Sequence, residues 1–303
     1  MIVSCELMSY NSHIDFCKID QQPDELFQRM IMSKDNLGDR IKKYESTETC
    51  AKFMHGLPII IRLDGRTFSA YTKNFNRPFD DDMSNAMMET TQFLVKETNA
   101  VMGYTQSDEI TLILNTDDEK SELIFGGKKF KIISNLSSLA SVKFYTTIKD
   151  IKGDALPQKL PSFDCRAFHV PSKIEAWNVL LWRVQDATRN SVNMLARAYF
   201  SQQQLYGKSN NQLIEMLFEQ KGIKWVDLES RYKQGIFVRS KKILKPITQE
   251  LIDTNSEYQV GDMVQRSVIQ QLIFEKKFSA MTNREEFLFG KAEPQFKQES
   301  DVV

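Results

Sequence analysis

Apolar and β-branched residues run from Pro58 to Leu63, interrupted by Arg62 alone, and end in Asp64-Gly65. This is the pattern of a buried strand that delivers a carboxylate to its end. A second run, Gly103 to Gln106, turns through Ser107-Asp108-Glu109 into a third, Ile110 to Leu114. Between the first two runs Met83, Met87, Thr90 or Thr91, and Leu94 recur at helical spacing. The three acids Asp80-Asp81-Asp82 before them suit a helix start, where carboxylates meet free amides and the positive end of the dipole. The prediction is an α+β fold with a βαββ core, an antiparallel sheet and helices packed on one face.

Further elements follow in order. A charged helix is predicted from Asp35 to Glu48. Ile132, Ile133, Leu136, Leu139, Ala140, Val142 and Phe144 predict a helix buried against the sheet, and Phe163 to Val170 alternates as a strand up to Pro171. Ser172 to Phe200 reads as one long helix. Arg231 to Lys245 holds six basic residues and no acid, with a strand at Gly235 to Val238. The expected division is an extension of unassigned role at 1–33, a catalytic core at 34–170, a helical and basic-strand region at 171–293 for RNA contact and assembly, and a disordered tail at 294–303.

The 303 residues carry 41% hydrophobic and 26% charged side chains, enough for a large core. No apolar run reaches the roughly 18 residues that span a bilayer, and the start lacks the pattern of a secretion signal. A cytoplasmic location is the expectation, with an organellar one left open. Cys5, Cys17, Cys50 and Cys165 show no CxxC spacing and point to free thiols. Forty basic and forty acidic residues cancel, so a nucleic acid partner must be held by local patches.

The strand-end acids carry the candidate chemistry. Two carboxylates from neighbouring strands, Asp64 and Asp108, can hold divalent cations about 3.5 to 4 Å apart. Asp-Gly is also a common hairpin turn and Ser-Asp-Glu a polar one, but the pair, each after a strand-like run, favours the metal site. Arg66-Thr67-Phe68-Ser69 follows Gly65 with small polar groups that let backbone amides approach an anion. Lys128 and Lys131 share a helical face and either reach triphosphate oxygens from the helix start or form a solvated basic turn. Arg183 and Asn190, on an otherwise apolar helix, are either satisfied core contacts or substrate contacts. Arg239, Lys241 and Lys242 suit phosphate tracking along RNA, and a lysine-guarded edge strand would look the same. His13, His55 and His169 make no metal-ligand spacing.

Four ordered motifs are more discriminating than any one. Ile61-Arg62-Leu63-Asp64-Gly65-Arg66, Tyr104-Thr105-Gln106-Ser107-Asp108-Glu109, Phe163-Asp164-Cys165-Arg166 and Trp182-Arg183-Val184-Gln185-Asp186 resemble those of the tRNA-His guanylyltransferase family, the reverse (3′-5′) nucleotide polymerases, across roughly residues 37–240. The resemblance implies a polymerase-type palm, with two Mg2+ ions held by Asp64, the Gly65 carbonyl and Asp108. It makes Asp64, Asp108 and Glu109 the catalytic acids, and Gly65, Arg66, Thr67, Phe68, Arg77, Ser107, Lys128 and Lys131 the nucleotide contacts. RNA contact falls to Arg166, Arg183, Asn190, Arg239, Lys241 and Lys242.

ATP and GTP or other nucleoside triphosphates are the implied substrates beside tRNA, and a homotetramer the implied assembly, with Trp177, Leu180 and Leu181 offering apolar surface. Where the tRNA-His-specific branch has His-Ile-Asn-Asn, this chain has Thr188-Arg189-Asn190-Ser191. The resemblance is therefore to the branch implied in template-dependent repair of truncated tRNA 5′ ends. Alternatives are a tRNA-His-specific guanylyltransferase, a palm-type nucleotidyl cyclase needing no RNA surface, and a catalytically silent RNA-binding protein.

Overall fold

Residues 37–115, 117, 122–248, 259 and 262–297 are described by the computed structural model. The 1–33 extension and the end of the predicted tail, 298–303, lie outside them. Helix α1 (Leu37–Thr49) buries none of its residues, as its charged sequence predicts. Cys165 is free, but Cys50 is disulfide-bonded, so the free-thiol expectation fails there.

From Phe53 onward the chain forms one compact unit, with no division at residue 170. The run at Ile59 becomes strand β1 (Ile59–Gly65), followed by the short α2 (Phe68–Tyr71) and by α3 (Asp81–Thr98). Asp80 caps α3 by accepting from the Met83 N–H at 2.8 Å. Strands β2 (Met102–Gln106) and β3 (Glu109–Leu114) form the expected hairpin, and α4 (Lys129–Lys152) leads to β4 (Phe163–His169). The long α5 (Lys173–Tyr199) comes next, then α6 (Gln202–Leu205), α7 (Asn210–Lys221) and α8 (Ser230–Gln234). Strands β5 (Ile236–Pro246) and β6 (Met263–Leu272) precede α9 (Arg284–Leu288).

All six strands join one antiparallel sheet in the order β4-β1-β3-β2-β5-β6. Its first four strands make a split βαββαβ unit. The expectation of helices on one face is corrected, because both faces are covered. Ile59, Ile61 and Leu63 pack with Met87 and Leu94 of α3 and with Leu136 and Phe144 of α4. Ile60 points the other way, toward Trp177 and Leu180 of α5 and Phe237, Phe278 and Phe287. Continuous apolar runs, rather than alternating ones, are what a sheet buried on both faces requires.

Trp177 and Leu180 are therefore interior residues of this chain, with Leu181 packed beside them. Trp177 and Leu180 offer no apolar surface for assembly, and Leu181 is half-buried. Trp177 stacks on Phe278 at a centroid distance of 4.2 Å, and burying such a side chain contributes about 1.5–3 kcal/mol. Strand β5 is not an edge strand either. Its first three residues pair with β2, and Phe237 to Pro246 pair with β6, which forms the edge.

Candidate active site

Strand direction decides which residues meet. Asp64 is the register partner of Glu109 on β3 and of Asp164 on β4, so three acids share one end of the sheet. The Gly65 N–H donates to the Asp108 carbonyl at 2.9 Å, which ties the end of β1 to the β2–β3 turn. A Cβ at Gly65 would lie 2.4 Å from a Phe68 ring carbon, so only glycine fits beneath that ring. Thr67 and Ser107, at φ 56° and 50°, hold left-handed conformations on either side of the site.

The carboxylates differ in environment. Burial pushes the Asp108 carboxyl up, and the negative charge of Asp64 adds to the effect, while Ser107 Oγ donates to Asp108 Oδ1 at 3.1 Å. Neither Asp64 nor Asp108 has a cationic partner among the described residues. Glu109 has one: Arg183 of α5 grips it with two bonds of 2.6 and 2.7 Å and also reaches Asp186 at 2.9 Å. Burial raises the Glu109 carboxyl and the guanidinium opposes the rise. Glu109 is thus engaged from the helix side.

Two cavities open at the Asp108 turn. The first, about 250 Å³, is walled by Phe68, Arg77, Phe79, Met83, Asn190 and Tyr232. The second, about 510 Å³, is lined by Asp64, Glu109, Arg183, Asp186, Asn193 and Arg197. Gln106, Ser107, Asp108, Asn190 and Met194 border both. Phe79 and Tyr232 stack at 4.5 Å on the wall of the first, where Arg231 and Tyr232 bind Asp81.

Arg66 and Thr67 are exposed beside the site, and Lys159 Nζ donates to Thr67 Oγ1 at 2.8 Å. Lys128 and Lys131 are not there. The Phe53 N–H donates to the carbonyl of Gly127, which precedes them, and the Phe53 ring packs on His169, the register partner of Ile59. The start of α4 therefore lies at the far end of β1, roughly 17 Å from Asp64 at about 3.3 Å per strand residue. Lys131 Nζ instead sits 5.3 Å from the Phe125 ring. Their assignment to the triphosphate is corrected.

The expected RNA contacts also divide. Arg166 is exposed on β4, and Asn190 faces both cavities. Arg183 is buried with its guanidinium engaged by Glu109 and Asp186, although it lines the second cavity, and Arg239 is 0% exposed, bonded to Gln270, the Ala292 carbonyl and Glu293, which leaves Arg239 no surface to offer RNA. Lys241 pairs with Glu293, while Lys242 is exposed. Asp186, Asn193 and Arg197 extend the site from α5; their spacing from Arg183 places them on one helical face. Arg197 makes no ion pair among the described residues. Lys152, bonded to Asp80 and Asp82, and Lys159 reach this end of the sheet because α4 runs toward it, a direction that no local pattern encodes.

Comparison with known proteins agrees with this geometry. The family model described as "Thg1: tRNAHis guanylyltransferase" matches residues 38–171. An uncharacterised protein of Acanthamoeba polyphaga mimivirus is 30% identical over 84% of this chain and 89% of its own length. A bacterial tRNA(His) guanylyltransferase (Thg1)-like protein solved in complex with ATP is 35% identical, with a TM-score of 0.64 over 68% of this chain and 87% of that one. A second such structure, in complex with GTP, is 32% identical with a TM-score of 0.57, covering 68% and 86%.

Proposed function

This chain belongs to the tRNA(His) guanylyltransferase family and is a nucleotidyltransferase; we propose that it adds nucleotides in the 3′-5′ direction to truncated 5′ ends of tRNA or tRNA-like RNA, guided by the opposing strand. The observation that carries the reading is the Asp108 turn, which borders two cavities and is tied to Asp64-Gly65. Such a turn can hold an activating nucleotide on one side and the RNA end with its incoming nucleotide on the other. That arrangement suits a polymerase-type palm. The ATP and GTP complexes of the bacterial relatives support both triphosphates as substrates.

The donor set fits Mg2+. Asp64 and Asp108 are half-buried carboxylates of like charge without a counter-cation among the described residues, beside a glycine whose carbonyl belongs to the same tight turn. Asp64, Asp108 and the Gly65 carbonyl would hold the ions, which when bound neutralise phosphate charge and lower the pKa of an attacking hydroxyl. Glu109, fixed by Arg183, keeps β3 and its turn in place. Arg66, Thr67, Arg77 and Ser107, with Lys159, line the approach where phosphates dock.

Two stages follow for a monophosphorylated RNA. Adenylate is first joined to the 5′-phosphate from ATP with loss of pyrophosphate; the 3′-hydroxyl of the incoming nucleotide then attacks that phosphate and AMP leaves. A 5′-triphosphate end skips the first stage. The repair reading draws on Thr188 and Ser191, whose hydroxyls serve the protein itself. Thr188 donates to the Lys233 carbonyl, and Ser191 accepts from Trp225. Neither is offered as a reader of tRNA-His, which leaves base pairing to select the nucleotide. Asp64→Ala or Asp108→Ala should abolish both stages on labelled truncated tRNA while the unfolding midpoint holds, since one of two mutually repelling carboxylates is removed. Near-normal extension by either variant would sink the reading.

A homotetramer remains part of the proposal. The outer β5–β6 hairpin extends beyond the support of β2 and leaves Leu244 64% and Met263 52% exposed. A second copy would cover them.

A further inference from the structure

Beside the second cavity, one surface carries Trp182, Arg62 and Arg166, which the proposed reaction has not used. Register pairing places Ile60, Arg62 and Asp64 of β1 beside Phe168, Arg166 and Asp164 of the edge strand β4, on the face that α5 covers only in part. Trp182, on α5, is 46% exposed there and Phe168 is 37% exposed. The Arg62 guanidinium lies 5.4 Å from the Trp182 ring centroid and that of Arg183 lies 4.4 Å from it. Arg62 Nε is buried and finds no hydrogen-bond partner among the described residues. Arg166 is exposed, with one long contact of 3.5 Å to Asp164.

A solvent-facing indole beside a half-buried arginine with a buried Nε is a poor arrangement for a lone chain. The indole keeps nearly half of its surface in solvent, and the arginine keeps a desolvated donor without an acceptor among the described residues. An RNA nucleotide suits this surface, because its base stacks on the indole and its phosphate takes charge-assisted bonds from the exposed Arg166 and the half-buried Arg62. The position fits the chemistry. Arg62 precedes Asp64 by two residues, about 6.7 Å along the strand, so a base on Trp182 lies next to the reacting end. Phosphates would face Arg62 and Arg166, while Arg183 stays with Glu109.

We propose that Trp182, framed by Arg62 and Arg166, is a stacking platform that holds a nucleotide of the RNA substrate beside the reacting 5′ end. Trp182 is a positioning residue. The inference rests on the RNA-extension reading above and adds the surface by which the RNA end is aligned. It moves RNA recognition near the chemistry from the basic β5 strand, where Arg239 is buried, to the β4 edge.

The test uses the full chain carrying Trp225→Phe, so that Trp182 is the only exposed tryptophan and Trp177 reports the core. An acceptor-stem RNA hairpin with a truncated 5′ end should quench the fluorescence, GTP alone should not, and Trp182→Phe should remove the response. In the extension assay Trp182→Ala should raise the RNA KM roughly tenfold, the scale of one lost base stack, and Arg166→Ala should flatten its salt dependence. The GTP KM should hold within about twofold, and Trp182→Phe should recover most of the loss. Unchanged quenching and RNA KM in the Trp182 variants would overturn the platform. So would equal quenching by GTP alone, or a change of oligomeric state in Trp182→Ala with RNA KM intact. If the hairpin quenches Trp182 yet the wild type extends no RNA, the platform stands and the proposed reaction falls.

Discussion

Arg183 shows how one side chain can be read two ways until its partner is known. An arginine on an apolar helix, next to a tryptophan, suggests nucleic acid contact, but α5 crosses β3 and brings the guanidinium onto Glu109 instead. Both partners are almost fully buried, so removing one leaves the other as an uncompensated charge. Arg183→Met should therefore cost about 3–5 kcal/mol of stability, whereas the double variant with Glu109→Leu should recover most of it. Urea unfolding measures both, and a single-variant loss below about 1 kcal/mol would show that the pair is not what anchors α5 to β3. The same uncertainty covered Arg239. Its basic neighbours suggested an RNA track, yet its acceptors come from residues 270, 292 and 293, far along the chain.

Elements were legible where local pattern suffices. The β1 run, the β2–β3 hairpin, the α3 start at Asp80 and the length of α5 follow from periodicity and capping, and Asp64 and Asp108 were readable because strand ends carry them together. What local pattern does not encode is direction. Lys131 shares a helix start with Lys128, but β3 runs away from the site and α4 begins at the far end, so Lys152 and Lys159 arrive in its place. Strand β6 was not foreseen, since its polar, half-exposed sequence reads as surface.

The α3 cap makes a prediction at this scale. Burial alone would raise the Asp80 carboxyl, but bonds from the Met83 and Asn76 amides and from Lys152 outweigh it and hold the group below the ordinary 3.8. A depressed native value means that the stabilisation is complete above the unfolded value and is lost as pH falls through the native one. Asp80→Ala should cost about 0.5–2 kcal/mol at neutral pH. The gap in urea midpoints should begin to narrow as the pH falls below the ordinary 3.8 and should close only below the depressed native value; a gap that stays constant throughout the acid range would contradict the ionic cap.

At the scale of the molecule, the sheet buries both faces of its central strands and leaves two things in solvent, the β4 edge and the outer β5–β6 hairpin. The hairpin assigns the proposed tetramer its contact. Leu244→Glu with Met263→Glu should shift the mass seen by light scattering to a smaller species, and a monomeric wild type would remove the assembly altogether. The central claim concerns the RNA end rather than the assembly. One measurement tests it most directly: tRNAs lacking their first nucleotide, with each of the four bases opposite the gap, are given one nucleoside triphosphate at a time with Mg2+. The account predicts that the nucleotide able to pair with the opposing base is added, that addition slows at the end of the stem, and that Asp64→Ala and Asp108→Ala add none. Addition of guanosine regardless of the opposing base, or activity confined to tRNA-His, would contradict it.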